Sequence, residues 1–404
     1  MPTGSILHPF LQLWLLMKYA ITFVLALALV AAPASALPID AVAGPAHTVQ
    51  ANQVPAYQVR FGRTRPVVVV AGANAGTELS DYVVPYAILA QSGAADVLAL
   101  AAGPGPMRLS PSFRIAPHAT LATFDVRFPE GADYVIIPAM AGSGDPAMVD
   151  WISAQAAKGA TIVSICDGAL VVAKAGVFKG RRATGHWATH TRRQREFPDT
   201  QWHANMRYVA DGKAVSSAGI SAAIPVSLAL VEAIAGRARA DAVAAEIGAD
   251  GWSDRHDSAQ FSISAGMLAT LARNKLFSTP EALGIPLEAG VDELSLALAT
   301  DALARTRRAR AYLVVAGGVG EVGEASKPVR SRHGLDILPE PAESLAALQV
   351  RSMPLAEFTG QGAPLDSILL RVEQMYGRAS AKLAADEMEH PLASRLAKPT
   401  SAAR

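Results

Sequence analysis

Apolar positions along this chain fall into short unbroken runs separated by stretches with helical spacing. Pro66 to Ala73 (PVVVVAGA), Asp96 to Ala101, Asp133 to Pro138 (DYVIIP) and Ala160 to Ile165 are runs rich in Val, Ile and Leu, each closed by small or turn-forming residues. That is the pattern of strands buried on both faces of a parallel sheet. Between them, 78–91 and 146–158 have the spacing of helices, and Ser92-Gly93 ends the first. Farther on, 206–209 and 214–217 read as a short strand pair and 219–235 as a long apolar helix. Strands alternating with helices predict an α/β fold, an open doubly wound sheet, mostly parallel, with helices on both faces. Ligands of such sheets bind at the carboxyl ends of the strands.

One of those ends carries the single cysteine of the 404-residue chain. The run 160–165 stops at Cys166, Asp167 and Gly168, and a helix-like apolar segment, 169–175, follows at once. A tight strand-to-helix corner of this kind exposes one side chain at the sheet edge, and the N–H groups that open the helix favour a thiolate. This makes Cys166 a candidate nucleophile. The alternative is a buried cysteine acting as a small apolar residue.

Composition narrows the picture only slightly. An apolar fraction of 51% is ample for sizeable cores, and a net charge of +1 gives no electrostatic case for nucleic acid. At the N-terminus, Lys18 precedes the apolar stretch AITFVLALALVAAP, and Ala34-Ser35-Ala36 supplies the small residues of a cleavage site. Residues 1–36 are therefore expected to be a secretory signal, with a mature start near residue 37 and a periplasmic or secreted product that has no membrane segment after cleavage. An uncleaved membrane anchor is the competing reading. Residues 1–16 are either a long n-region or an over-extended start. A lone cysteine in an oxidising compartment would be a working thiol rather than half of a disulfide.

Four motifs carry a family resemblance: 76–93 (GTELSDYVVPYAILAQSG), DYVIIP, 164–187 (SICDGALVVAKAGVFKGRRATGHW) and 216–236 (SSAGISAAIPVSLALVEAIAG). In this order they resemble the DJ-1/PfpI superfamily, closest in flavour to its isonitrile hydratase-like members and the amidase-like domains of AraC-type regulators. The resemblance covers about 66–247 and implies a flavodoxin-like sandwich with a reactive cysteine at Cys166. It also implies an acidic partner at Asp81 and a pocket histidine at His186, with no cofactor and no metal. A carboxylic acid buried beside a thiolate tends to stay protonated and to donate to sulfur.

The chain also departs from the family pattern. Asp167 stands where relatives keep Thr or His, so a peptidase arrangement is not expected; Asp167 would either cap the helix or act as an acid. The usual Gly-Gly of the oxyanion loop reads Ala139-Met140, followed by Ala141-Gly142. Backbone donors there and at Gly168 would hold a developing anion. Glu78, Ser80, Thr184, Trp187 and His190 are candidates for shaping the pocket.

The remainder of the chain repeats the first part incompletely. Glu78-Leu79-Ser80 recurs as Glu293-Leu294-Ser295, and DVLALAAGPG as the stretch 310–320. Val231, Glu232, Gly236 and Arg237 match Val372, Glu373, Gly377 and Arg378. The early matches are offset by 215 positions and the late ones by 141, so about 74 residues are missing, those that would hold an elbow. Leu296 sits where the acid should be. The expected organisation is an arm at 37–65, a DJ-1/PfpI-like domain at 66–250 and a degenerate second module at 251–404. That module would pack on the first as an intrachain pseudo-dimer, with a homodimer as the alternative. The arginines of 305–310 read as a solvated helix end. The leading expectation is a cysteine-dependent hydratase or amidase acting on a small molecule, without nucleic acid as a partner; a non-catalytic thiol sensor or small-molecule binding module is the alternative.

Overall fold

The computed structural model describes residues 52–142, 145–315, 327–341, 345, 348–360 and 364–397. The expected signal 1–36, the arm as far as residue 51, and 316–320 of the repeated stretch lie outside the described residues. Among the described residues no helix is long and apolar enough to cross a membrane.

The valine run becomes β1 (Val67–Gly72), followed by α1 (Leu79–Gln91) and β2 (Asp96–Ala101). A hairpin, β3 (Met107–Ser110) and β4 (Phe113–Ala116), precedes β5 (Tyr134–Ile137), α2 (Pro146–Ala157), β6 (Thr161–Ser164) and α3 (Gly168–Lys174). Then come β7 (Tyr208–Asp211), β8 (Ala214–Ser217), α4 (Ala223–Ala235) and α5 (Arg237–Glu246). The apolar helix expected from 219 starts instead with a 3-10 turn at Ile220–Ala222. The hairpin was not anticipated, because strands of four residues are too short to display a period.

The main sheet has seven strands in the order β7-β8-β6-β5-β1-β2, then Ala119–Thr120. All neighbours run parallel except β7 with β8. Along β1 the side chains alternate between two cores: Val68 and Val70 face the helices α1 and α4, while Val67 and Val69 face α2 and α3. Burial on both faces explains the absence of alternation in the sequence.

The rest of the chain supplies α6 (Ala265–Leu276), β9 (Glu281–Leu287), α7 (Glu293–Arg305), β10 (Ala309–Val315), β11 (Asp336–Leu338), α8 (Pro364–Tyr376) and α9 (Arg378–Glu387). β9 and β10 pair in parallel, with Arg351–Ser352 on the other side of β9. β11 pairs antiparallel with β4, so one small sheet is shared by early and late parts of the chain. Helix α7 packs on α1, and Leu283, Leu296 and Leu369 belong to the same core as Val68 and Val70. A positive-φ glycine stands between α4 and α5 (Gly236, φ 83°) and another between α8 and α9 (Gly377, φ 79°).

A core continuous from β1 to α8 predicts one cooperative unit. Leu296→Ala, at a fully buried position of α7, is expected to lower stability by about 2–5 kcal/mol. Urea unfolding followed by tryptophan fluorescence and by circular dichroism should give coincident transitions; separated transitions would contradict the shared core.

Candidate active site

The corner after β6 has the geometry expected of an elbow. Cys166 adopts φ 54°, a strained backbone for a residue with a Cβ, and its N–H donates to Ala218 O at 3.1 Å. Ile165 N–H donates to Ile137 O at 2.9 Å, which draws the turn onto the end of β5. Gly168 is required there, since a Cβ would lie 2.1 Å from Ile137 O. The corner thus sits at the carboxyl ends of the central strands, but the thiol is only 6% exposed.

Asp81, in the first turn of α1, is completely buried. Its Oδ2 accepts from Ala139 N–H at 3.1 Å, while Oδ1 has no partner. Glu78 caps α1 by accepting from Asp81 N–H at 2.6 Å and pairs with Arg305 at 2.8 Å. Arg305, the last residue of α7, also pairs with Asp301 at 2.8 Å and Glu387 at 3.5 Å. It is 17% exposed, so the expected solvated helix end is instead a buried junction.

Burial pushes Asp81 up to about 7, against the pull of the Ala139 N–H, of the Glu78 side chain and of Arg305. Burial, then Asp301 and Asp81, push Glu78 well above the usual carboxylate range. Burial likewise drives the Cys166 thiol well above its ordinary value, with Asp81, Asp167 and Glu78 adding to the effect and the Asp167 backbone N–H opposing it, which favours the thiol form. Asp81 Oδ1 has no hydrogen-bond partner, so the expected donation from Asp81 to sulfur is not made in this geometry.

Asp167 neither caps α3 nor points away from its neighbours. It accepts from Thr189 Oγ1 at 2.5 Å and lies 3.7 Å from Arg193. Arg193 is 1% exposed and donates to His186 O at 2.7 Å, and its charge acts on both Asp167 and Cys166. A cleft of about 510 Å³ is lined by Glu78, Ala139, Met140 and Asp167, together with Arg305 and Arg307 from the late part of the chain. Gly142 is exposed and does not line it. The Ala139 N–H, expected to serve an oxyanion, is occupied by Asp81, which leaves Asp167 N–H as the donor nearest the sulfur.

A model of the DJ-1/PfpI family matches residues 66–233. This part of the chain is similar to the DJ-1/PfpI family. Isonitrile hydratase of Pseudomonas putida is 31% identical over 137 residues, which are 32% of this chain and 56% of that protein. The HTH-type transcriptional regulator CdhR of Pseudomonas aeruginosa is 35% identical over 86 residues, 21% of this chain and 25% of that protein. The chain thus spans about half the length of the first relative and a quarter of the second. Among solved structures, DJ-1beta of Drosophila melanogaster aligns with a TM-score of 0.41 at 22% identity, over 45% of this chain and 97% of that one. A ThiJ/PfpI family protein of Pseudomonas syringae gives 0.41 at 20% identity, over 53% and 82%.

Within the matched stretch His186 turns to the late part of the chain rather than to the thiol. Its Nε2 is 3.1 Å from Glu387 O and its Nδ1 accepts from Ala188 N–H at 3.3 Å. Beside it Glu389 accepts from Gly219 N–H at 2.7 Å and Trp187 N–H at 3.2 Å, and it lies 2.8 Å from His256 Nε2. Burial pushes the Glu389 carboxyl up, but His256 and His186 outweigh it and hold the group below its usual value. Gly219 follows Ala218, whose carbonyl holds the Cys166 N–H, so Glu389 steadies the elbow from behind. Arg193 and Glu389 carry no local sequence signal. Ser80 bonds to Asp301, Thr184 to Ser216 and His203, and Trp187 to Asp386, all of them structural contacts. Among the described residues no group of His, Cys, Asp and Glu could hold a metal ion.

A carboxyl that titrates near 7 when folded and near 3.9 when unfolded makes the folded state bind the extra proton. Its contribution to stability is full at low pH and is lost as pH rises to about 7. Asp81→Asn should remove that loss: relative to wild type the variant gains on the order of 1 kcal/mol per pH unit between about pH 5 and pH 7. Denaturation at several pH values checks this, and a pH-independent difference would contradict it.

Proposed function

We propose that the domain is a cysteine-dependent hydratase or amidase for a small molecule with a polarised carbon, with Cys166 as nucleophile and Asp81 as its base. The observation that carries this is the buried, unpartnered Asp81 Oδ1, on a carboxyl that burial pushes up to about 7 and whose charge acts on Cys166. Sulfur attacks the carbon as its proton passes to Asp81, and the displaced π electrons move onto nitrogen or oxygen facing the Asp167 N–H. Asp81 then returns the proton to that atom or, for an amide, to the amine nitrogen as the C–N bond breaks and the amine leaves; water then adds to the carbon, the C–S bond breaks and a proton of the water returns to sulfur. The resting geometry leaves Sγ and Oδ1 unbonded; catalytic hydrogen bonds commonly tighten only in the reacting complex. His186 takes no proton-transfer role in this scheme. The similarity to isonitrile hydratase supports the reaction class.

A peroxide-sensing thiol is less well supported, since such cysteines are exposed and have low pKa values, whereas Cys166 is buried and raised. The proposal treats the late half as a degenerate copy that stands where a second subunit would. Support comes from the matching glycines 236 and 377, from α7 packed on α1, and from Leu296 in place of the acid. Export of the protein and the absence of a nucleic-acid partner belong to the same proposal and rest on the N-terminal pattern and the near-zero net charge.

Cys166→Ala is expected to abolish turnover of a panel of isonitriles, amides and α-dicarbonyls while the fold is kept. Wild-type kcat/KM should rise with pH through about 7, and Asp81→Asn should lose both that limb and at least 100-fold in rate. Full activity in the cysteine variant would overturn the proposal.

A further inference from the structure

A second cleft, of about 650 Å³, adjoins the cleft lined by Glu78 and Asp167 and shares Pro111 and Arg307 with it. The hairpin of β3 and β4 forms one wall; α6, the end of α7 and the start of β10 form the other. Among the described residues its lining holds five cations, Arg108, Arg114, Lys275, Arg307 and Arg310, against a single acid, Glu340. In a chain whose net charge is +1, this is a concentrated positive field in a concave place.

The cations are not all held by the fold. Arg307 is paired with Glu387 at 2.9 Å, and Arg114 donates to Pro339 O at 3.3 Å. Among the described residues no ion pair or side-chain hydrogen bond engages Arg108, Lys275 or Arg310. Several arginines elsewhere are matched by acids: Arg63 with Asp133, Arg237 with Asp241, Arg330 with Asp336, Arg351 with Glu281. Like charges gathered without partners repel, and walls of low dielectric concentrate their field toward an incoming anion. Arginine forks fit carboxylate and phosphate oxygens two at a time. Half-buried Tyr312 and Ser112 also line the cleft, and the volume suits a metabolite-sized ligand.

We infer that this cleft is an anion-binding site for a small organic polyanion, one bearing two or more carboxylate or phosphate groups, held by Arg108, Lys275 and Arg310. The inference does not rest on the chemistry of Cys166. A ligand seated here lies against Arg307, the charged residue common to both clefts.

The test is calorimetric titration of the full chain with pyrophosphate and, separately, with citrate at low ionic strength. Saturable one-to-one binding of either is expected. Stronger binding of pyrophosphate assigns a phosphorylated ligand, and stronger binding of citrate a polycarboxylate. The double variant Arg108→Ala, Arg310→Ala should weaken it at least tenfold with an unchanged melting temperature, because both side chains are exposed. Arg237→Ala, on α5, serves as the control and should bind like wild type. Cys166→Ala should also bind like wild type, which separates this site from failure of the proposed catalysis. No saturable heat with either probe, or unchanged affinity in the double variant, would overturn the inference.

Discussion

The structure depends on one guanidinium. Arg305, at the end of α7, faces Glu78, Asp301 and Glu387, three carboxylates drawn from three parts of the chain, and only Glu387 has a second cation, Arg307, to share. Removing one partner of such a cluster leaves uncompensated buried charge, which costs about 3–5 kcal/mol. The same cluster fixes the first turn of α1, because Glu78 caps the helix that carries Asp81. The late half of the chain therefore reaches the site through its charges as well as its apolar core.

That arrangement accounts for the electrostatics of the thiol. With Arg305 shared among three acids, little of its charge is left for Asp81, and burial decides the protonation of both Asp81 and Cys166. Asp167 adds negative charge but is held by Thr189 and Arg193, which turn it from a helix cap into part of the wall. The result is a protonated nucleophile next to a carboxyl that titrates near neutrality, suited to proton transfer during attack. Behind the elbow, Glu389 ties the chain end to Gly219 and Trp187 and fixes the strained backbone at Cys166. Arg307 links this cleft to the basic one beyond it.

Fully buried strands were legible in the sequence because β1, β5 and β6 are unbroken apolar runs bounded by turns. Cys166 was legible because Asp167 and Gly168 end such a run at once. The hairpin of β3 and β4 was not, and neither was its pairing with β11, since its partner strand lies more than 200 residues away. Distance in sequence explains the other omissions. Glu389 meets Gly219 across 170 residues and Arg305 meets Glu78 across 227, so no local spacing could announce them. Of the arginines of 305–310, Arg305 and Arg307 looked solvated because Glu78 and Glu387 are remote in sequence, whereas Arg310 is exposed as expected. His186 followed from resemblance alone, and the end of the chain holds it in another role.

The central claim is that burial keeps the resting proton on Cys166 while Asp81 is left as the acceptor. The rate of Cys166 alkylation by iodoacetamide as a function of pH, read by mass spectrometry on the single cysteine, tests it most directly. The account predicts an apparent thiol pKa above 9, with little reaction at pH 7. A thiolate already formed at neutral pH, with alkylation fast and flat above about pH 6, would contradict it.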